Sequence, residues 1–180
     1  MGTEGSRVER VRGNMRFLQA DEKDKEEILL LYREAIGSAG CIWSEEYPNE
    51  AILEDDIRRN ALFCMKDEMG EILGALSMDE DPEVDALENW SFRKEDGVKA
   101  AEIARLVVKE AYRNRKLAGR MFECLLERLR DEGFVFAYFL VAQENERAIR
   151  AYRRLAFSER GEAELFGEKW FCFEKRLTDR

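Results

Sequence analysis

The sequence predicts an α+β fold, a mixed sheet of six to seven strands accompanied by a few local helices. Three observations predict it. Strand-like and helix-like runs follow one another in the order β, α, α, β, β, then β, α, β, α, β, β. The stretch 134–142 is almost wholly apolar, which marks a strand covered on both faces. A short apolar run over 103–108 leads through a basic, small-residue turn into a long amphipathic stretch that ends at Gly133. A strand feeding such a turn and helix is a device for holding phosphates. The first helical N–H groups point outward unpaired, and the helix dipole adds partial positive charge there.

Taken in order, residues 16–20 read as the first strand. Asp21 and Asp24 cap a helix running to about residue 36, with Ile28, Leu31, Tyr32 and Ala35 on one face. A loop over 37–47 holds Trp43 and Tyr47, and Pro48-Asn49 opens a second helix to about residue 60. Residues 62–66 and 71–78 form a hairpin around a turn at 68–70, and 79–85 reads as an acidic loop. Residues 87–92 fit either a short strand or a helical turn, and 100–108 is the next strand. A helix from Leu117 or Ala118 to Asp131 carries the stripe Leu117, Met121, Cys124, Leu125 and Leu129, with Gly133 at its C′ position. Asn145 caps a helix to about residue 155 with Ala148, Ile149, Tyr152 and Leu155 on one face. Residues 157–163 and 169–177 close the fold as a strand pair around Phe166-Gly167. Residues 1–14 read as a flexible lead-in, and 15–180 as one domain.

Composition narrows the function. Apolar residues are 45% of the chain, enough for a full core, and there are two prolines, no repeat and no apolar run of membrane-spanning length. The polar, charged stretch 1–14 is not a signal peptide. Cys41, Cys64, Cys124 and Cys172 are scattered without a C-x-x-C pair, so a reducing cytoplasm is expected. There is no histidine, which excludes Ser-His and Cys-His triads and every His-ligated metal site. A general base must then be a carboxylate or, failing that, a cysteine, tyrosine or lysine; no metal is expected. The net charge of −9 argues against nucleic acid and suits a cationic acceptor. The arginine-rich stretch 147–160 reads chiefly as a solvated helix face.

Three motifs then stand in order. Arg113, Lys116 and Ala118 fill the positions of a Gln/Arg-x-x-Gly-x-Gly/Ala phosphate loop. Asn145, Ala148, Tyr152 and Ala156-Phe157 match an Asn-x-x-Ala, Tyr, Gly-Phe stretch. Ala101-Glu102-Ile103 places a glutamate eleven residues before Arg113. Together, over about 16–177, they resemble the GNAT superfamily of acyl-CoA-dependent N-acetyltransferases. The chain departs from that pattern at Lys116 and Ala156, where glycine is usual. A lysine can adopt the glycine backbone at a cost of roughly 1–2 kcal/mol if φ is positive, or offer its ammonium to a phosphate.

The resemblance implies a GNAT-like three-layer fold: a mostly antiparallel central sheet of six to seven strands with helices on both faces. It implies acetyl-CoA as co-substrate, held by Leu106, Val107, Val108, Arg113, Asn114, Arg115, Lys116, Leu117, Ala118, Gly119 and Arg120, with Asn145 and Ala148 along its arm. A backbone N–H among Leu106, Val107 and Val108 would meet the oxyanion. Tyr152 would protonate the leaving thiolate, and Glu102 would take the amine proton. Two exits are open to Glu102: the acceptor, or a pair with an arginine such as Arg105. By alternation it shares a face with Ala104, Leu106 and Val108. The acceptor pocket falls to Trp43, Glu46 and Tyr47, an aromatic pair beside carboxylates that suits a cationic amine, unless Trp43 simply plugs the core. Trp90 is a second wall candidate, with core packing as its alternative. The implied partner is a small-molecule or peptide amine, not nucleic acid or membrane, and the last strands offer a route to a homodimer. The alternative function is a non-catalytic acyl-CoA-binding or regulatory module with a degenerate loop.

Overall fold

The computed structural model describes residues 9–11 and 14–178. The chain runs β1 (Glu9–Val11), β2 (Met15–Gln19), α1 (Lys25–Ala35), α2 (Glu50–Arg58), β3 (Leu62–Lys66), β4 (Ile72–Asp79), α3 (Pro82–Asp85), β5 (Ala100–Val108), α4 (Leu117–Asp131), β6 (Phe136–Ala142), α5 (Glu146–Arg154), β7 (Ser158–Leu165) and β8 (Glu168–Arg176). The described residues thus hold eight strands; the one beyond the expected count is β1, which falls in the stretch expected as a lead-in. The remainder of 1–13 lies outside the described residues. Helices α1 to α5 are where local sequence asks for them. Asp21 and Asp24 form a reciprocal capping box on the 3-10 turn that opens α1. Asn49 caps α2 through the Ile52 N–H at 3.1 Å.

The chain forms two compact units. The first comprises the chain up to Ile36, Trp43–Ser77 and Arg105–Cys124. Its strands run in the order β1-β2-β3-β4-β5, and β1 to β4 are joined antiparallel. Its core takes Ile28, Leu31, Tyr32 and Ala35 from the expected face of α1, with Leu62 to Met65 of β3 and Met121 of α4. The second comprises Gly37–Ile42, Met78–Ala104 and Leu125–Arg180, with strand order β5-β6-β8-β7. Here β5 and β6 are parallel, with Glu102 opposite Tyr138, and β6–β8 and β8–β7 are antiparallel. Strand β6 is buried at Phe136, Ala137, Tyr138, Phe139, Val141 and Ala142, the doubly covered strand its composition requires. Strand β5 runs from the second unit into the first, and α4 from the first into the second.

Two expectations are corrected. The acidic loop contains α3, because Asp81 accepts from the Glu83 and Val84 N–H groups and Pro82 occupies the first turn. The undecided segment 87–92 is neither alternative throughout; it turns into a 3-10 helix at Ser91–Lys94.

Three helices end the same way with different residues. At α2, α4 and α5 the chain enters the left-handed region at Asn60 (φ 58°), Gly133 (φ 83°) and Ala156 (φ 59°). Each closes with the double bond pattern of a Schellman cap, as in Ala156 N–H to Arg153 carbonyl and Phe157 N–H to Tyr152 carbonyl. Only Ala156 lacks both the bare α-carbon and the polar side chain that tolerate this conformation. Ala156→Gly is therefore expected to stabilise the fold by up to about 1 kcal/mol, raising the melting temperature by roughly 2–4 °C. Gly133→Ala should shift it the other way. Thermal unfolding of the two variants beside the parent checks both signs.

Candidate active site

The first unit carries the turn between β5 and α4. Gly74 of β4 lets the backbones close here: a Cβ on it would sit 2.8 Å from the Val107 carbonyl oxygen and 2.9 Å from Met121 Sδ. Val107 is buried, while Leu106 and Val108 are half-buried. After β5 a 3-10 turn at Glu110–Tyr112 leads to Arg113, whose Nε–H donates back to the Val108 carbonyl at 3.1 Å. Asn114 (φ 63°) and Lys116 (φ 61°) both lie in the left-handed region. The lysine thus takes up the backbone that a glycine would favour. Arg120 N–H bonds the Lys116 carbonyl, so Lys116 is the residue before the first helical turn. It has no side-chain acceptor to cap the turn. The amides of Leu117, Ala118 and Gly119 have no intrahelical acceptor by geometry and find no other among the described residues. Arg113, Arg115, Lys116 and Arg120 supply four cations and no carboxylate within eight residues. The Arg115 guanidinium lies 5.4 Å from the Tyr112 ring centre. The turn is thus built to receive an anion.

The first unit also holds the aromatic loop. Ser44 and Tyr47 close a tight turn through two backbone bonds of 2.9 and 3.2 Å. Glu45 and Glu46 form its exposed tip, with Glu46 N–H on Ser44 Oγ at 3.2 Å. Trp43 meets the Tyr32 ring edge-on at 5.3 Å. Tyr47 is 44% exposed, and its hydroxyl accepts from Arg105 Nη1 at 3.3 Å. Behind it lies a buried polar group that sequence reasoning missed. Asp56 (1% exposed) receives Arg105 Nε and Nη2 at 2.9 and 2.8 Å, Arg59 Nη2 at 2.7 Å and the Ser77 hydroxyl at 2.7 Å. Its signal was available: an acid three residues after Leu53, on the buried face of an amphipathic helix. Arg105 itself has φ 51° inside β5.

In the second unit, Glu102 is 6% exposed and accepts the Asp81 N–H through Oε2 at 3.1 Å. Burial, then the charges of Glu102 and Asp85, push the Tyr138 phenol far above its ordinary range. Asn145 caps α5 through Oδ1, which accepts from Ala148 N–H at 3.1 Å. Its Nδ2 donors have no partner among the described residues. The cap thus leaves the Asn145 amide donors uncommitted among the described residues. Tyr152 is buried, its ring 4.4 Å from that of Phe139 and 6.2 Å from that of Phe173. Burial alone raises its phenol well above the ordinary range, so it is protonated at neutral pH.

Of the two alternatives for Trp90, pocket wall or core, the structure takes the core. It is fully buried, packs on Phe92 and Tyr138, and gives its indole N–H to the Val84 carbonyl at 2.8 Å. An indole with no exposed face and a satisfied donor has nothing to offer a ligand. Along β5, Glu102 is buried, while Ala104, Leu106 and Val108, expected on the same face, are half-buried. Burial alternates regularly from Ile103 to Val108, across the left-handed Arg105.

Comparison with known proteins places the chain in a family and a fold. Residues 22–157 match the acetyltransferase (GNAT) family. An L-methionine sulfoximine/L-methionine sulfone acetyltransferase of Pseudomonas aeruginosa is 25% identical over 148 residues, covering 79% of this chain and 80% of that protein. Among solved structures, yncA of Salmonella typhimurium with its cofactor acetyl-CoA aligns with TM-score 0.70 at 16% identity, over 93% of this chain and 96% of its own. An N-acetyltransferase from Staphylococcus aureus aligns with TM-score 0.70 at 17% identity, over 92% and 100%. The expected fold class, a mixed sheet with helices on both faces, is the one these structures share with the chain. The chain belongs to the acetyltransferase (GNAT) family and is an acetyl-CoA-dependent N-acetyltransferase.

Proposed function

We propose that the chain acetylates the primary amine of a small, amino-acid-like molecule by direct attack on acetyl-CoA, with the residues read from the sequence in their expected roles. The observation that carries the reading is the set of open amides at Leu117, Ala118 and Gly119 after two left-handed residues, amid four cations. A diphosphate fits such amides without displacing an existing bond. Asn145 Nδ2 would donate to an amide carbonyl of the cofactor arm. A backbone N–H among Leu106, Val107 and Val108 would stabilise the oxyanion that develops on the acetyl carbonyl. Glu102 would take the proton from the attacking amine, and Tyr152 would hydrogen-bond and protonate the departing sulfur. Trp43, Glu46 and Tyr47 would receive the acceptor. The relative named for methionine sulfoximine and sulfone supports an acceptor of amino-acid size. The non-catalytic alternative has no observation in its favour.

The test is direct. Acetyl-CoA at a hundred times its Kd should stabilise the protein by about 2.7 kcal/mol in thermal unfolding, and no shift would end the reading. Lys116→Gly separates strain from charge. The free variant should gain up to about 1 kcal/mol of stability, while acetyl-CoA binding weakens several-fold at low salt and less at high salt. Titration calorimetry at two salt concentrations checks this; tighter binding would assign the lysine no phosphate contact.

Kinetics with L-methionine sulfone or another productive amine tests the two proton carriers. Tyr152→Phe should lower kcat by about 10²-fold and leave acetyl-CoA affinity unchanged. Because burial raises the Tyr152 phenol, the parent rate should show no fall from tyrosine ionisation up to about pH 10. Glu102→Gln should depress kcat/KM most at neutral and lower pH, where few free amines exist. An unchanged pH–rate profile would remove it as the base.

A further inference from the structure

We propose that Asp56 and Arg105 are positioning residues for the acceptor, acting through Tyr47; this rests on the reading that the 43–47 turn receives the amine. Glu45, Glu46 and Tyr47 are exposed; two internal backbone bonds close the turn upon itself, and Asn49 Nδ2 at the cap of α2 donates to the Glu46 carbonyl at 3.0 Å. Its contacts with the rest of the first unit include two at its ends: Trp43 against the Tyr32 ring, and Tyr47 Oη on Arg105 Nη1. The second is directional, and its donor is held still.

All three Arg105 donor nitrogens are engaged: Nε and Nη2 on the two Asp56 oxygens, Nη1 on Tyr47. Asp56 is fixed in turn by Ser77 and Arg59. A planar guanidinium in a two-pronged pair has one orientation, so the Nη1 vector is determined by Asp56. A lysine there would be a point charge without that vector. The left-handed φ of Arg105 is a second sign of function, since a strand interior has no need of it and a branched or bulky residue resists it. A hydroxyl nearby completes the picture. Tyr32 is buried beside the pair, and its phenol is pushed far above the ordinary range by burial, with Arg105, Asp56 and Ser77 the next influences. It sits under Trp43, at the other end of the same turn. The turn thus rests on one buried ring and one arginine with a committed direction.

Two variants test the proposal, and Tyr47→Phe is the decisive one because it leaves the buried pair intact. Amide hydrogen exchange, followed by mass spectrometry on the unliganded protein, should accelerate about tenfold across 43–49 in both Tyr47→Phe and Arg105→Lys. Exchange in α1 and β3 should stay as in the parent. With L-methionine sulfone as probe acceptor, KM for the amine should rise about fivefold, with kcat and the acetyl-CoA KM within about twofold. Unchanged exchange across 43–49 in a folded Tyr47→Phe variant would overturn the positioning role and leave the pair purely structural. Accelerated exchange with an unchanged amine KM would overturn the acceptor role of the turn while the tie itself stands.

Discussion

Strand β5 is the constraint on which the rest depends, and the Asp56–Arg105 pair is what holds its middle. The strand belongs to both compact units and changes character at residue 105. Before that point it pairs in parallel with β6 and carries Glu102; after it come Leu106 to Val108 and the basic turn into α4. A left-handed residue in a strand persists only when its surroundings over-determine it. Here a buried carboxylate with four donors does so. A buried ion pair contributes little net stability against an apolar substitute, but removing one partner costs about 3–5 kcal/mol because a bare charge is left inside. The pair is better understood as a specification of geometry than as a source of stability.

The same logic governs the two places where the chain departs from the family pattern. Lys116 and Ala156 both adopt positive φ, the backbone that glycine takes most readily. The two sites differ in what compensates. Ala156 closes a Schellman cap with both bonds made, and the Lys175 ammonium reaches the Leu155 carbonyl at 2.6 Å. Lys116 precedes a helix whose first amides are open, and it adds a cation beside them. The cap at Ala156 is complete within the fold, whereas the amides after Lys116 are left without an acceptor among the described residues.

Much of this was legible in the sequence, for reasons that can be located. The α1 face, the α4 stripe from Leu117 to Leu129, β3, β5 and the Gly133 cap follow from period, capping chemistry and one permissive residue. Each depends on neighbours a few positions away. Helix α3 was also locally encoded, in Asp81-Pro82, but the surrounding acids masked it as a loop. What stayed hidden is non-local. The Asp56–Arg105 pair joins residues 49 positions apart, and nothing in either segment names the other. Burial of Trp90 hinges on Val84 and Tyr138 together, which composition around 90 cannot reveal. The left-handed turn of Arg105 was invisible because a non-glycine residue gives no warning of positive φ.

The absence of histidine shapes the proposed chemistry more than any residue present. With no group that titrates near neutrality by default, proton traffic falls to a carboxylate and a phenol. Their difference in acidity limits what each can do. An ordinary tyrosine is less acidic than an ordinary thiol by about 1.5 pK units, so full transfer from phenol to thiolate is uphill by about 2 kcal/mol before any shift. Burial of Tyr152 steepens that slope, since it disfavours the phenolate further. In the proposed role the phenol would therefore serve best as a fixed hydrogen bond to a sulfur that is acquiring charge, with the proton crossing only as the thiolate leaves. Its packing on Phe139 and Phe173 supports that part: a donor that stabilises charge without itself ionising must be oriented beforehand. The buried tyrosine gains orientation at the expense of acidity, and thiolate departure needs the first more than the second.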